Sequence, residues 1–217
     1  MGKRSYNEYC GLARALDVVG GRWTLLVVRN LLLGPARYSD LLRGLPGITT
    51  NLLAKCLKEM EESGLIGRIR LATGEPGHAY RLTDLGLALE PAVQALAKWG
   101  WHRMTGPGPE DHRDLEWLLV STRWRYSGNL HLSAEFLVGD APYHFVLAGA
   151  EATIARGFLP GADLRVRVPA PTLVRLLVEG WPDEGAPGAL QVEGGVDRLR
   201  SLVDAFDRPP GRAAADG

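Results

Sequence analysis

Cysteine is scarce in this 217-residue chain, which has only Cys10 and Cys56. The two allow at most one disulfide, and no cluster of metal-ligating neighbours surrounds either, so no disulfide-stapled or zinc-built fold is expected. Apolar runs stay well short of the ~20 residues that cross a bilayer. The opening "MGKRSYNEYC" lacks the apolar stretch of a secretory signal, so the cytoplasm is the expected compartment and no membrane partner is expected. Catalytic signatures are missing too. His78, His102, His112, His131 and His144 are scattered, and no His/Glu metal spacing, nucleophile elbow or phosphate-cradling loop appears. No enzyme activity, metal or cofactor is therefore expected. What remains, with 46% hydrophobic and 23% charged residues, is the composition of a globular protein of one large domain or two ordinary ones.

The formal net charge of zero conceals two opposed halves. Residues 1–105 carry 14 Lys and Arg against 9 Asp and Glu, whereas residues 106–217 carry 11 against 16. Four prolines precede the stretch "TGPGPED" at 105–111, two lie within it and eight follow it. Glycine and proline between apolar segments mark a linker. The chain therefore reads as a first domain over 1–105, a linker over 106–114 and a second domain over 115–210.

Helical periodicity dominates the first half. Leu12, Ala15, Leu16 and Val19 recur at helical spacing before Gly20-Gly21, and "RWTLLVVRNLLLG" predicts a second helix over 22–33. "ARYSDLLRGLPG" predicts a short helix with Leu41 and Leu42 inward, closed by a turn. In "ITTNLLAKCLKEMEESG", Thr49 or Thr50 is a suitable N-cap, and Leu53, Cys56, Leu57 and Met60 form an inward stripe. Thr50, Asn51, Lys55, Lys58 and Glu62 are left on the other face. "LIGRIRLATGEPGHAYRLT" then predicts two short strands, with Ile66, Ile69 and Leu71 against Tyr80 and Leu82 supplying a single apolar side, and with Arg68, Arg70 and Arg81 supplying positive charge. A last helix follows, capped by Thr83 and interrupted by Pro91.

Short helix, tight turn, helix with a polar start, then basic hairpin is the order of a winged helix-turn-helix. Such a recognition helix enters the major groove with its first turns, where Thr49, Thr50, Asn51 and Lys55 would address base edges and Lys58 would lie further along the same face. Arg37, Tyr38 and Ser39, at the start of the preceding helix, would meet the phosphate backbone, and Arg68 and Arg70 would add sequence-independent attraction. The expected partner is double-stranded DNA.

The run "CGLARALDVVGGRWTLLVVRNLLLGPARYSDLLRGLPGITTNLLAKCLKEMEESGLI", followed by "YRLTDLG", resembles the HxlR family of bacterial winged-helix transcriptional regulators over about the first hundred residues. The resemblance implies a homodimer on a near-palindromic operator, with the first and last helices of the domain as the interface and repression as the expected sign. Trp99 and Trp101 are then available to that surface, although core packing would use them equally well. Some members sense oxidants or electrophiles with the cysteine that precedes the first helix. Here it is Cys10, followed by Gly11 where the family usually has proline. A low thiol pKa at a helix start is the physical basis of such reactivity. Cys10 is thus a candidate redox sensor, with a small packing residue as the alternative, whereas Cys56 lies on the inward stripe.

In the second half the period changes to two. Leu130, Leu132, Ala134, Phe136 and Val138 alternate with His131, Ser133 and Glu135, and "YHFVLAG", "EATIARG" and "ADLRVRV" continue the strand pattern. Leu173, Leu176, Leu177 and Trp181 line one face of a helix, and "QVEGGVDRLRSLVDAF" reads as strand, glycine turn and terminal helix. The expected fold class is α+β, a winged helix followed by a smaller domain of sheet plus helices. "ADLRVRVPAPTLVRLLVEG" and "GALQVEGGVDRLRSLVDAF" resemble the sterol carrier protein type-2-like domain. That resemblance implies a tunnel for a small hydrophobic ligand, with Trp117, Trp124, Phe136, Phe145, Leu177 and Trp181 as candidate lining. Three other readings stay open: a winged helix used for protein interaction, a lipid carrier whose winged helix only dimerises it, and a second domain that supports the dimer without a ligand.

Overall fold

The computed structural model describes residues 5–70, 77–104, 110–182 and 190–208. It separates into two compact units, residues 1–97 and 98–217.

In the first unit α1 (Gly11–Val19) starts at Cys10 and stops at Gly20. Only Ala13 of this helix is buried, and the aligned Leu12 and Leu16 are 69% and 40% exposed. The core helix is α2 (Thr24–Leu31), shorter at both ends than the expected 22–33, with Val27, Val28 and Leu31 buried and Leu32 and Leu33 packed just beyond it. Strand β1 (Ala36–Arg37) leads into α3 (Tyr38–Arg43), in which Leu41 is buried and Leu42 only half-buried. Helix α4 (Thr50–Glu62) buries Leu53, Cys56, Leu57 and Met60, the stripe that the period of 3.6 predicts. Removing such side chains from water contributes roughly 1.5–3 kcal/mol each.

Strands β2 (Ile66–Arg70) and β3 (His78–Leu82) pair antiparallel, and β1 joins on the far side of β3. The register sets Ile66 against Leu82, Arg68 against Tyr80 and Ile69 against Ala79. This corrects the single apolar side expected for the hairpin. Ile66 and Ile69 are three residues apart, so the pleat sends them to opposite faces, and Tyr80 shares its face with Arg68. Leu71 and the expected hairpin tip lie outside the described residues.

The expected last helix is two helices, α5 (Asp84–Leu87) and α6 (Glu90–Trp101). Pro91 stands in the first turn of α6, where its missing N–H has no intrahelical partner to lose. Thr83 caps α5, accepting from Gly86 N at 3.2 Å and donating to Gly64 O at 2.6 Å. At Gly86 a Cβ would fall 2.1 Å from Leu65 O, so the strand that leaves α4 passes where only glycine fits.

The second unit opens with α7 (Leu115–Arg123), followed by β4 (Leu130–Val138), β5 (Ala141–Gly149), β6 (Glu151–Arg156), β7 (Leu164–Val168), α8 (Ala170–Val178), β8 (Gln191–Glu193) and α9 (Val196–Asp204). The sheet order is β6-β5-β4-β7-β8, with β4 and β7 parallel and the other pairs antiparallel. One phase of β4, from Leu132 to Val138, is buried, as alternation predicts. Phe136 and Phe145 pack at 4.6 Å between ring centroids, and Phe206 meets Phe145 edge-on. Arg125 is buried, only 5% exposed. Its guanidinium donates to Leu177 O at 3.3 and 3.2 Å, to Thr122 Oγ1 at 2.8 Å and to Asp207 O, which ties the ends of α7 and α8 to the segment after α9. Burial, and then the nearby Arg208, bring its pKa down to about 10.

Candidate nucleic-acid interface

The geometry of the helix-turn-helix rests on its turn. Leu45 and Ile48 are buried while Gly47 takes φ +85°, a left-handed conformation that closes the chain between α3 and α4. The buried Asn30 of α2 donates to Gly44 O at 2.9 Å and so satisfies a carbonyl at the end of α3. Tyr38 donates its hydroxyl to Thr50 O at 2.7 Å, lacing the start of α3 to the start of α4.

At the head of α4 the Thr49 hydroxyl accepts from Leu52 N at 3.3 Å and serves as the N-cap. Thr50, Asn51, Lys55 and Lys58 are all exposed. Lys55 lies 3.9 Å from Glu59 and Lys58 lies 3.8 Å from Glu62, pairs along one helix face with every partner at least 60% exposed. Pairs of this kind contribute about 0.3–0.5 kcal/mol, so they open readily to a phosphate. At the N-cap of α3 the Arg37 amide donates to Asp40 Oδ2 at 3.2 Å, and Ser39 in its first turn is exposed. Arg70 and Arg81 are exposed on the hairpin. Arg68 is held differently, by Glu61 at 2.8 Å and by the face of Tyr80 at 5.5 Å.

The structure thus brings Tyr38 and Thr49–Asn51 together at the head of α4, with Lys55 and Lys58 one and two turns further on. The Tyr38 hydroxyl is tied to the Thr50 carbonyl rather than left open. Sequence reasoning missed Asn30, which sits inside an apolar helix, and it missed the Glu61 and Tyr80 partners of Arg68.

The remaining candidates lie elsewhere. Cys10 is exposed at the start of α1, where the amides of Ala13 and then Leu12 lower its thiol pKa. Burial raises that of Cys56. In α6 Trp99 is 67% exposed and Trp101 half-buried. Of the residues expected around a ligand, Phe136, Phe145 and Leu177 are fully buried, the first two against each other, while Trp117, Trp124 and Trp181 are half-buried. Trp117 meets His112 edge-on at 5.5 Å. Among the described residues no group of three His, Cys, Asp or Glu side chains is placed to hold a metal, and no helix is long and apolar enough to cross a membrane.

A family model described as HxlR-like helix-turn-helix matches residues 18–106. Over 91 residues the chain is 41% identical to the uncharacterized HTH-type transcriptional regulator YkvN of Bacillus subtilis (strain 168), covering 42% of this chain and 77% of that one. Over 95 residues it is 38% identical to an uncharacterized HTH-type transcriptional regulator of Methanothermobacter thermautotrophicus, covering 43% of this chain and 72% of that one. Among solved structures, the reduced form of the transcriptional regulator YodB from B. subtilis is similar at 29% identity and a TM-score of 0.39, over 46% of this chain and 99% of that one.

Proposed function

The chain belongs to the HxlR-like helix-turn-helix family of DNA-binding regulators, and on that premise we propose that it represses transcription as a homodimer on a near-palindromic operator. The observation that carries this reading is the exposed head of α4, where Thr50 and Asn51, with Lys55 one turn on, stand clear of the core on a helix capped by Thr49. Thr50, Asn51 and Lys55 read base edges, while Lys58, Arg37, Ser39 and Arg70 attract phosphate.

Dimerisation is supported by apolar side chains that the first unit leaves in water. Leu12 and Leu16 on α1 are 69% and 40% exposed, and Leu96 on α6 is 52% exposed. Residues 1–105 form the DNA-binding and dimerisation domain of this proposal, 106–114 the linker, and 115–210 a sterol-carrier-like domain that takes a small hydrophobic effector. Residue 105, residues 106–109 of that linker and residues 209–210 lie outside the described residues. A five-stranded mixed sheet whose three central strands, β5, β4 and β7, bury the side chains of one face supports the effector role, with half-buried Trp117, Trp124 and Trp181 as optical probes.

The test begins with selection of bound sequences from a random duplex pool and a footprint on the winner. Two half-sites about one helical turn, ~34 Å, or a multiple apart are expected. Asn51→Ala should relax discrimination at one base position by ~1–3 kcal/mol. An unchanged preference in that variant would refute the reading. For the effector, tryptophan fluorescence of the full chain titrated with fatty acids, sterols and aromatic polyketides should quench with at least one class, and silence across the panel would leave dimer support as the role of the second domain.

A further inference from the structure

Three cations of the candidate interface have glutamate partners, and one pair is of a different kind. The Lys55–Glu59 and Lys58–Glu62 pairs are long, lie within a single helix and are open to water. Arg68 reaches from β2 to Glu61 on α4 at 2.8 Å, and the Glu61 side chain is only 25% exposed, against 60% and 62% for Glu59 and Glu62. The guanidinium also lies over the ring of Tyr80 at 5.5 Å, and Tyr80 is the cross-strand partner of Arg68 in the β2–β3 ladder. One side chain therefore contacts the recognition helix and both strands of the hairpin. A planar, delocalised cation suits this arrangement, because it can stack on the ring while its edge donates to the carboxylate.

We propose that Arg68 is a positioning residue that locks the wing onto the recognition helix, held between Glu61 and Tyr80, and that it is not one of the cations that neutralise DNA phosphate. The inference rests on the reading of α4 and the β2–β3 hairpin as the DNA-binding surface and reassigns one residue within it. A phosphate-neutralising cation displaces condensed counterions from DNA, whereas a guanidinium already balanced by a carboxylate displaces few. Arg70, further out on the same strand opposite His78, then carries the salt-dependent attraction. The clamp matters because Lys55 and Arg70 sit on different elements and must meet one duplex in a fixed relation.

The test has one arm without DNA and one with it, both on the full-length chain. Hydrogen exchange read by mass spectrometry should show the segments 64–70 and 77–83 opening about 2- to 5-fold more often in Arg68→Ala and in Glu61→Gln. The charge swap Glu61→Arg with Arg68→Glu should restore most of the protection. With a mixed-sequence duplex, Arg70→Ala should reduce the slope of log affinity against log salt by about one, while Arg68→Ala leaves it within about 0.3 of the parent. Glu61→Gln should steepen it by about one, because it releases Arg68 to the phosphates. Unchanged exchange in both single variants, or an Arg68→Ala slope as reduced as that of Arg70→Ala, would overturn the proposal. If no duplex binds at all, the DNA-binding reading fails and the exchange arm alone decides the clamp.

Discussion

Cys10 and Cys56 carry the same thiol in opposite surroundings. Cys10 stands in water at a helix start, where backbone amides favour the thiolate, while Cys56 sits on the buried stripe of α4, where burial disfavours it. Reaction with an alkylating reagent follows the thiolate, so Cys10 should label faster than Cys56 at neutral pH, and its rate should rise at a lower pH than an ordinary thiol. Time-resolved mass spectrometry of the labelled peptides measures this. Equal rates, or normal regulation by Cys10→Ser under oxidative stress, would remove the sensor role. The contrast between the two cysteines was legible in the sequence, because one precedes a periodic segment and the other falls on its inward stripe. The bond from Tyr38 to Thr50 O was not legible. It is made by a side chain across a turn, and no spacing rule specifies which carbonyl a tyrosine hydroxyl will find.

Among elements, the helix-turn-helix followed almost directly from period and punctuation, because α4 buries one stripe and starts at the Thr49 cap while α3 ends at Gly44. The hairpin was read less well, since its two-residue pleat was assigned one apolar side that its register does not have. The junction between them depends on a single missing atom. Gly86→Ala would set a methyl group 2.1 Å from Leu65 O, so α5 must shift away from the end of α4 and strain the Thr83 bonds to Gly64 and Leu65. A loss of about 1–3 kcal/mol is expected from overpacking of this kind, measured by denaturant unfolding with the midpoint and slope fitted together. A variant as stable as the parent would mean that the junction is soft.

For the whole molecule, the split in charge and composition marked two parts in the sequence, and the fold separates into two units, 1–97 and 98–217. The proposed homodimer was suggested in the sequence by resemblance alone, because a helical stripe reads alike whether its own core or a second copy covers it. The exposure of Leu12 and Leu16 favours the second copy. Leu12→Arg should therefore yield a monomer in sedimentation velocity and lower operator affinity by about 10²-fold or more, since two half-sites no longer act together. A variant that stays dimeric would send the search for the interface elsewhere. The parallel pairing of β4 with β7 bears on biosynthesis. Ala134 meets Leu164 only after β5 and β6 have been made, and the bonds between Ser133 and Asp163 set the register at that end. While the ribosome translates the intervening residues, the β4–β5 hairpin offers β4 as an open edge, the template on which nascent chains aggregate. Slow, non-local closure of this kind makes the arrival of β7 the vulnerable moment in the life of the chain, so a synonymous codon change that stalls translation between β6 and β7 should lower soluble yield without altering one amino acid.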